Sequence, residues 1–196
     1  MKKILLTAAA ATVLATSSAY ALEDMLYVKI NGAYSKTDKV KIDGMNLKSG
    51  NAFFAGIGAG YYAMDNLRVD LTLDHFFNPE HKSGDSKVKG DINTAMFGLF
   101  VDVADISVAK FFLGASAGGS QLKAKFTKGD KSYTAKQKYN LAWAIHLGAS
   151  TEFVQNVTGE LSYSYRDMGK TTKFTDINET VHYKGHHVAF GVRFDI

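Results

Sequence analysis

His187-Val-Ala-Phe-Gly-Val-Arg-Phe-Asp-Ile196 decides the fold. Val188, Phe190, Val192, Phe194 and Ile196 fall on one face of an extended chain, and His187, Ala189, Gly191, Arg193 and Asp195 fall on the other. Alternation with period two marks a strand with one apolar face. In a soluble sheet that face would pack on a core. Behind an export signal, the same pattern points to a transmembrane β-barrel, with lipid on the apolar face and a polar lumen on the other.

The export signal is residues 1 to 21. Lys2 and Lys3 supply the positive end, Ile4 to Leu14 the short apolar core, and Ala19-Tyr20-Ala21 the small-x-small cleavage pattern. Residues 22 to 196 then form one barrel domain, placed in the outer membrane of a Gram-negative cell. No other stretch approaches the roughly 20 apolar residues of a membrane helix. Cysteine is absent, which excludes disulfides and thiolate metal sites. A single proline, with 18 Gly, 10 Tyr and 13 Phe, suits strands better than helices. The net charge of +4 includes the two leader lysines and is too small to argue for nucleic acid.

Upstream, seven more segments alternate: about 26–35, 52–62, 67–76, 92–102, 110–120, 139–152 and 158–167. Their connections alternate between short (63–66, 103–109 and 153–157) and long, the latter rich in Lys, Gly, Ser, Asp and Thr. The expected fold is therefore all-β: an eight-stranded antiparallel transmembrane β-barrel with short periplasmic turns and long extracellular loops. Tyr27, Tyr34, Phe53, Tyr61, Tyr62, Phe76, Phe77, Phe111, Tyr139, Phe153 and Phe194 lie near strand ends, as an interfacial aromatic girdle would. Alternating Gly56, Gly58 and Gly60 on an inner face make room for neighbouring side chains.

Leu161-Ser-Tyr-Ser-Tyr-Arg-Asp-Met-Gly169 resembles the penultimate strand of the small OmpA-like and opacity-type outer-membrane barrels. Phe112-Leu-Gly-Ala-Ser-Ala-Gly118 and Ala142-Trp-Ala-Ile-His-Leu-Gly-Ala149 resemble their fifth and sixth strands, so the resemblance spans the mature chain. Within that group the signal, size and basic loops look most like the candidate adhesins of rickettsia-type obligate intracellular bacteria. The resemblance implies binding at a host-cell surface. The peptidoglycan-binding domain that follows some OmpA relatives is not expected here.

All four long connections carry net positive charge. The third, 121–138, holds Lys123, Lys125, Lys128, Lys131, Lys136 and Lys138 against Asp130. Such a rim attracts anionic partners and speeds encounter. Expected partners are outer-membrane lipid and lipopolysaccharide, and a host surface protein or anionic glycan. Nucleic acid is not expected, and the barrel is expected to be a monomer. A second set, Lys29, Arg68, Asp70, Asp74, Asp102, Glu152, Glu160, Arg166, Arg193 and Asp195, points into the lumen. Eight strands leave an interior that side chains fill, and charges there must pair.

Catalytic and metal-ligating patterns are weak. Asp74 and His75, and likewise His186 and His187, diverge to opposite faces of their strands, and no carboxylate is obviously placed beside His182. No enzyme activity and no cofactor are expected. The expected function is adhesion through basic extracellular loops. The alternative is a structural membrane protein or a narrow small-ion pore with no specific host ligand.

Overall fold

The computed structural model describes residues 25–38, 40–42, 45–83, 86–129, 131–171, 173 and 180–196; the expected leader and Asp130 lie outside them. Among the described residues ten strands are formed: β1 (Leu26–Thr37), β2 (Val40–Ile42), β3 (Met45–Leu47), β4 (Asn51–Met64), β5 (Leu67–Ser83), β6 (Ser86–Asp105), β7 (Lys110–Lys128), β8 (Lys131–Val154), β9 (Val157–Lys170) and β10 (His182–Asp195). Eight of them close a barrel in the order β1-β10-β9-β8-β7-β6-β5-β4, every pair antiparallel. The last strand shuts it against the first, with Val28 opposite Phe194 and Tyr34 opposite Val188. Closure leaves no open sheet edge in lipid, where an unpaired backbone group costs several kcal/mol. The remaining two strands, β2 and β3, make a small separate ladder in the first long connection.

The apolar set of each strand faces outward. Ile57, Phe97, Leu113, Ile145, Leu161 and Phe190 are all more than half exposed, as side chains that meet lipid must be when the protein stands alone. Inward positions hold small and charged residues interleaved with a few large rings such as Tyr27, Phe54, Phe100 and Phe112. Gly60 is required by its neighbour: a Cβ there would lie 2.2 Å from the Tyr27 ring. At Gly56 a Cβ would lie 1.9 Å from Asp74 Oδ1. The inner-face glycines thus admit the large polar side chains of adjacent strands.

The short connections agree with expectation. Asn156 turns the β8–β9 link at φ 65°, a conformation asparagine tolerates better than most residues. Strand β1 begins and β10 ends on this side, where Ile196 N–H donates to the Leu26 carbonyl at 2.9 Å.

The long connections differ from expectation. Strands expected to end at Phe76 and Ser120 run on to Ser83 and Lys128, and those expected to begin at Ile92 and Tyr139 begin at Ser86 and Lys131. The second and third long connections are therefore tall hairpins. Along β7 the inward parity never changes: Phe112, Ser116, Ser120, Leu122, Ala124 and Phe126 all point inward. What changes between 116–120 and 122–126 is their chemistry, from polar to apolar, while Phe112 at the lower end covers the Arg68 guanidinium.

The lumen accordingly has two tiers. Above, Phe54, Phe76, Val88, Ile92, Leu122, Phe126, Met168, Val181 and Tyr183 form one buried apolar cluster. Below lies the ionic filling. Tyr27 and Phe76, expected in the girdle, are fully buried inside, and Tyr62 turns inward to donate to Asp195 at 3.0 Å. Their position follows strand parity, which overrides the preference of aromatic rings for the interface.

Candidate functional site

Two sets of charges were candidates, and both resolve into defined geometry. In the lumen, Asp70 binds Lys29 and accepts a hydrogen bond from Tyr27. Arg68 reaches Asp102 at 3.0 Å and Glu160 at 2.8 Å, and Arg193 reaches the same Glu160 oxygen at 2.9 Å. Arg166 pairs with Asp74 at 2.6 Å. Arginine suits these positions because its planar fork serves several acceptors at once. The guanidinium of Arg68 also lies 4.5 Å from the Phe112 ring centre, and that of Arg166 lies 4.6 Å from Phe54. Each cation is thus covered by an aromatic face as well as paired. Glu152 keeps the inward register, opposite buried Thr158, but stands outside the ionic filling: it is exposed at the short-turn end of β8 and accepts a hydrogen bond from the Asn156 backbone at 3.2 Å. A cavity of about 50 Å³ remains beside this network, lined by Lys29, Asp70, Asp74, His146, Glu160 and Arg166.

The second set is the β7–β8 hairpin. Lys125, Lys128, Lys131, Lys136 and Lys138 are exposed, and Lys123 is half-buried. These lysines belong to a ladder and not to an irregular loop. Leu122 faces Lys138, Lys125 faces Thr134 and Lys128 faces Lys131, with Gly129 making the turn at φ 55°. A bulge between Leu122 and Ala124 shifts the β8 register, so both Ala135 and Ala142 face inward. The run Lys123-Ala-Lys-Phe-Thr-Lys128 already shows the alternation that signals a strand.

Neighbouring hairpins add charges that the sequence had assigned to a separate connection. Lys89 of β6 stands directly opposite Lys125, and Asp91 directly opposite Lys123. Glu80 of β5 reaches Lys87 at 2.8 Å and Lys89 at 3.8 Å. Only the pairing of the second hairpin with the third brings these residues together.

A polar belt crosses the outer wall just below. His75 Nδ1 lies 2.8 Å from Asn93 Oδ1, Asn93 Nδ2 donates to Gln121 at 3.4 Å, and Gln121 Nε2 donates to the Tyr139 hydroxyl at 2.9 Å. Beneath it, outward residues are Leu73, Phe97, Ala117 and Leu141; above it, on β6 and β7, they are Lys89, Asp91, Lys123 and Lys125. The belt marks the upper limit of the lipid-facing band, where rings and amides meet both lipid and water.

Behind the hairpins, His81 is fully buried, with Nδ1 3.1 Å from the Lys48 carbonyl and Nε2 3.2 Å from Thr37 Oγ1. Burial lowers its affinity for a proton below that of a free imidazole, and the Lys48 carbonyl offsets this in part. His75 and Asp74 take opposite faces, one on the belt and one in the lumen. His186 stacks outside on Tyr163, while His187 is enclosed by Phe54 and Phe76. His182, for which no carboxylate was expected, has Asp167 at 2.7 Å.

Comparison with known proteins agrees with this architecture. "Putative adhesin RC1281" of Rickettsia conorii is 34% identical over the full length of both chains, and "Putative adhesin A1I_01215" of Rickettsia bellii is 32% identical, again over both full lengths. Among solved structures, Neisserial surface protein A superposes with a TM-score of 0.61 at 20% identity, covering 87% of this chain and 97% of that one. OprG of Pseudomonas aeruginosa gives 0.51 at 14% identity, covering 89% and 98%. The model of the outer membrane protein beta-barrel domain matches residues 6–194, and with relatives this similar along their whole length the chain belongs to that outer-membrane β-barrel family.

Proposed function

We propose that the protein is a surface adhesin that captures anionic host components through its lysine-rich outer hairpin. The carrying observation is the placement of six lysines, Lys123 to Lys138, on one ladder that rises beyond the lipid-facing band. Two whole-length relatives bear the name adhesin, which supports the same reading. The ligand class follows from the side chains. Lysine is a compact point charge, so it selects sign and charge density, and sulfated glycan or an acidic protein surface supplies both. The role is one of binding and not of turnover. The rival reading, a narrow pore, is disfavoured by the apolar tier over the ionic filling.

Folded protein in nanodiscs, titrated against immobilised heparin over a salt series, tests this. Wild-type protein is expected to lose affinity steeply with salt, since exposed charges are screened within about 10 Å at 0.1 M. Replacing all six lysines by glutamine is expected to weaken binding at least tenfold and flatten the salt response. Binding that survives the replacement unchanged would remove the proposal.

A further inference from the structure

We infer that Lys89, Lys123 and Lys125 form a site on the outer wall of the barrel for the phosphate headgroup of an outer-leaflet lipid. The inference rests on the membrane placement and not on the adhesion reading.

Position comes first. The polar belt through Asn93 and Gln121 closes the lipid-facing band. Lys123 lies two residues beyond Gln121 on the same outward face, and Lys89 and Lys125 lie four residues beyond the belt. At roughly 3.4 Å per residue these steps are about 7 and 14 Å along the strand. With strands tilted about 40°, the rise above the belt is about 5 and 10 Å. The headgroup layer of one leaflet is roughly 5 to 8 Å thick. Lysine stems lie along a surface and place the ammonium where it is best solvated, so all three side chains reach that layer.

Charge comes second. Lys89 and Lys125 are direct cross-strand partners on one face. Such partners have Cβ atoms only about 4.5 to 5.5 Å apart, and like charges there are destabilising. Glu80 is 3.8 Å from Lys89 but is held more closely by Lys87 at 2.8 Å. Asp91 faces Lys123 without an ion pair among the described residues. Among the described side chains, four lysines (Lys87, Lys89, Lys123 and Lys125) and two acids therefore share the face, and the cationic excess is concentrated between Lys89 and Lys125. A phosphomonoester carries about −1.5 to −2 charge and three strong acceptor oxygens. Seated between these two ammonium groups, it relieves their repulsion and gives each a charge-assisted hydrogen bond. The Gln121 and Tyr139 side chains, already tied to each other, form the floor beneath the headgroup.

The same chemistry is available from inorganic phosphate, so the test separates the two sources. Folded protein is reconstituted in phosphatidylcholine vesicles doped with bisphosphorylated lipid A or with its dephosphorylated form. Lipid that stays with the protein after detergent extraction is counted by native mass spectrometry. Wild-type protein is expected to retain the phosphorylated form at least fivefold over the dephosphorylated one. Millimolar inorganic phosphate is expected not to displace it, because apolar anchoring of the acyl chains holds the headgroup in place. The triple variant K89Q/K123Q/K125Q is expected to lose the preference, K89R/K123R/K125R to keep it, and K128Q/K131Q, altered only at the tip, to keep it as well. Equal retention of the two lipids by wild-type protein overturns the proposal whether or not the glutamine variant inserts. Displacement by free phosphate, or a preference undiminished in a folded glutamine variant, overturns it too. Heparin binding by the wild-type protein alone reports on the adhesion reading separately, because every variant here alters lysines that the adhesion reading uses.

Discussion

Below the polar belt the inward residues of β7 are Phe112, Gly114, Ser116, Gly118 and Ser120 and the outward ones include Leu113, Ala115 and Ala117; above it they are Leu122, Ala124 and Phe126 inward and Lys123 and Lys125 outward. On β6 the outward face changes in the same way, from Phe97 and Leu99 to Lys89 and Asp91, while the inward face carries Val88 and Ile92 above and Met96, Gly98 and Phe100 below. One ladder thus obeys two solvents. In lipid the apolar side must face out and the polar side must pair within. In water the ordinary rule returns, and apolar side chains gain about 25 cal/mol per Å² by leaving solvent. The exchange point locates the membrane surface more sharply than any single aromatic residue does.

Mutations can break or sharpen this contrast. The largest effect is expected in the lower tier. Glu160→Ala removes the shared partner of Arg68 and Arg193, leaving buried Arg193 uncompensated and Arg68 with Asp102 alone, a loss of about 3–5 kcal/mol. Urea unfolding from liposomes measures it, and a near-neutral result would mean that the lumen is wet rather than filled. Next, Phe190→Arg puts a cation on the lipid-facing side and is expected to cost about 2–4 kcal/mol if near the bilayer midplane. The same substitution at exposed Ser132, in the outer hairpin, is expected to stay within about 0.5 kcal/mol. Equal costs at the two sites would erase the distinction between the regions.

The smallest effect concerns acidity at the outer end. His81 is buried and holds its proton less readily than the open chain does. Opening exposes a group that titrates near its ordinary value of 6.5. The open form therefore binds more protons, and the stability of the outer end is full above that value and declines as pH falls below it. Amide protection factors in the outer parts of β1, β4 and β5, corrected for the intrinsic pH dependence of exchange, are expected to fall as the pH is lowered from 7.5 to 5, and His81→Gln to flatten the change. Unaltered protection in the wild-type protein would show that the contact with Lys48 offsets burial completely.

The lipid-facing half was legible in the sequence because its alternation is uniform and its short turns recur. Eight barrel strands, their faces and nine of the ten lumen charges follow from parity alone. Glu152 has the right parity but lies at the open short-turn end, and a period-two count gives the face of a residue without its height along the barrel. The tall hairpins escaped for a different reason. Tracking the apolar residues along β7 leads from odd positions to even ones at Leu122, which reads as the end of a strand when it is only a change of solvent. Tyr27 and Phe76 were misplaced because ring chemistry was weighed above parity. The facing of Lys89 and Lys125 depends on which hairpins lie side by side, and this emerges only from the closed ring.

The β7–β8 ladder has one more consequence. A lysine on a slack loop must be recruited and immobilised by whatever it meets, at about 1–2 kcal/mol of backbone freedom per residue fixed. Lysines on a stiff ribbon are spent of that freedom before any encounter. Lys123 and Lys125 repeat at roughly 7 Å along it, so the protein meets its surroundings as a comb of set pitch, and a polyanion of matching repeat docks without first organising it.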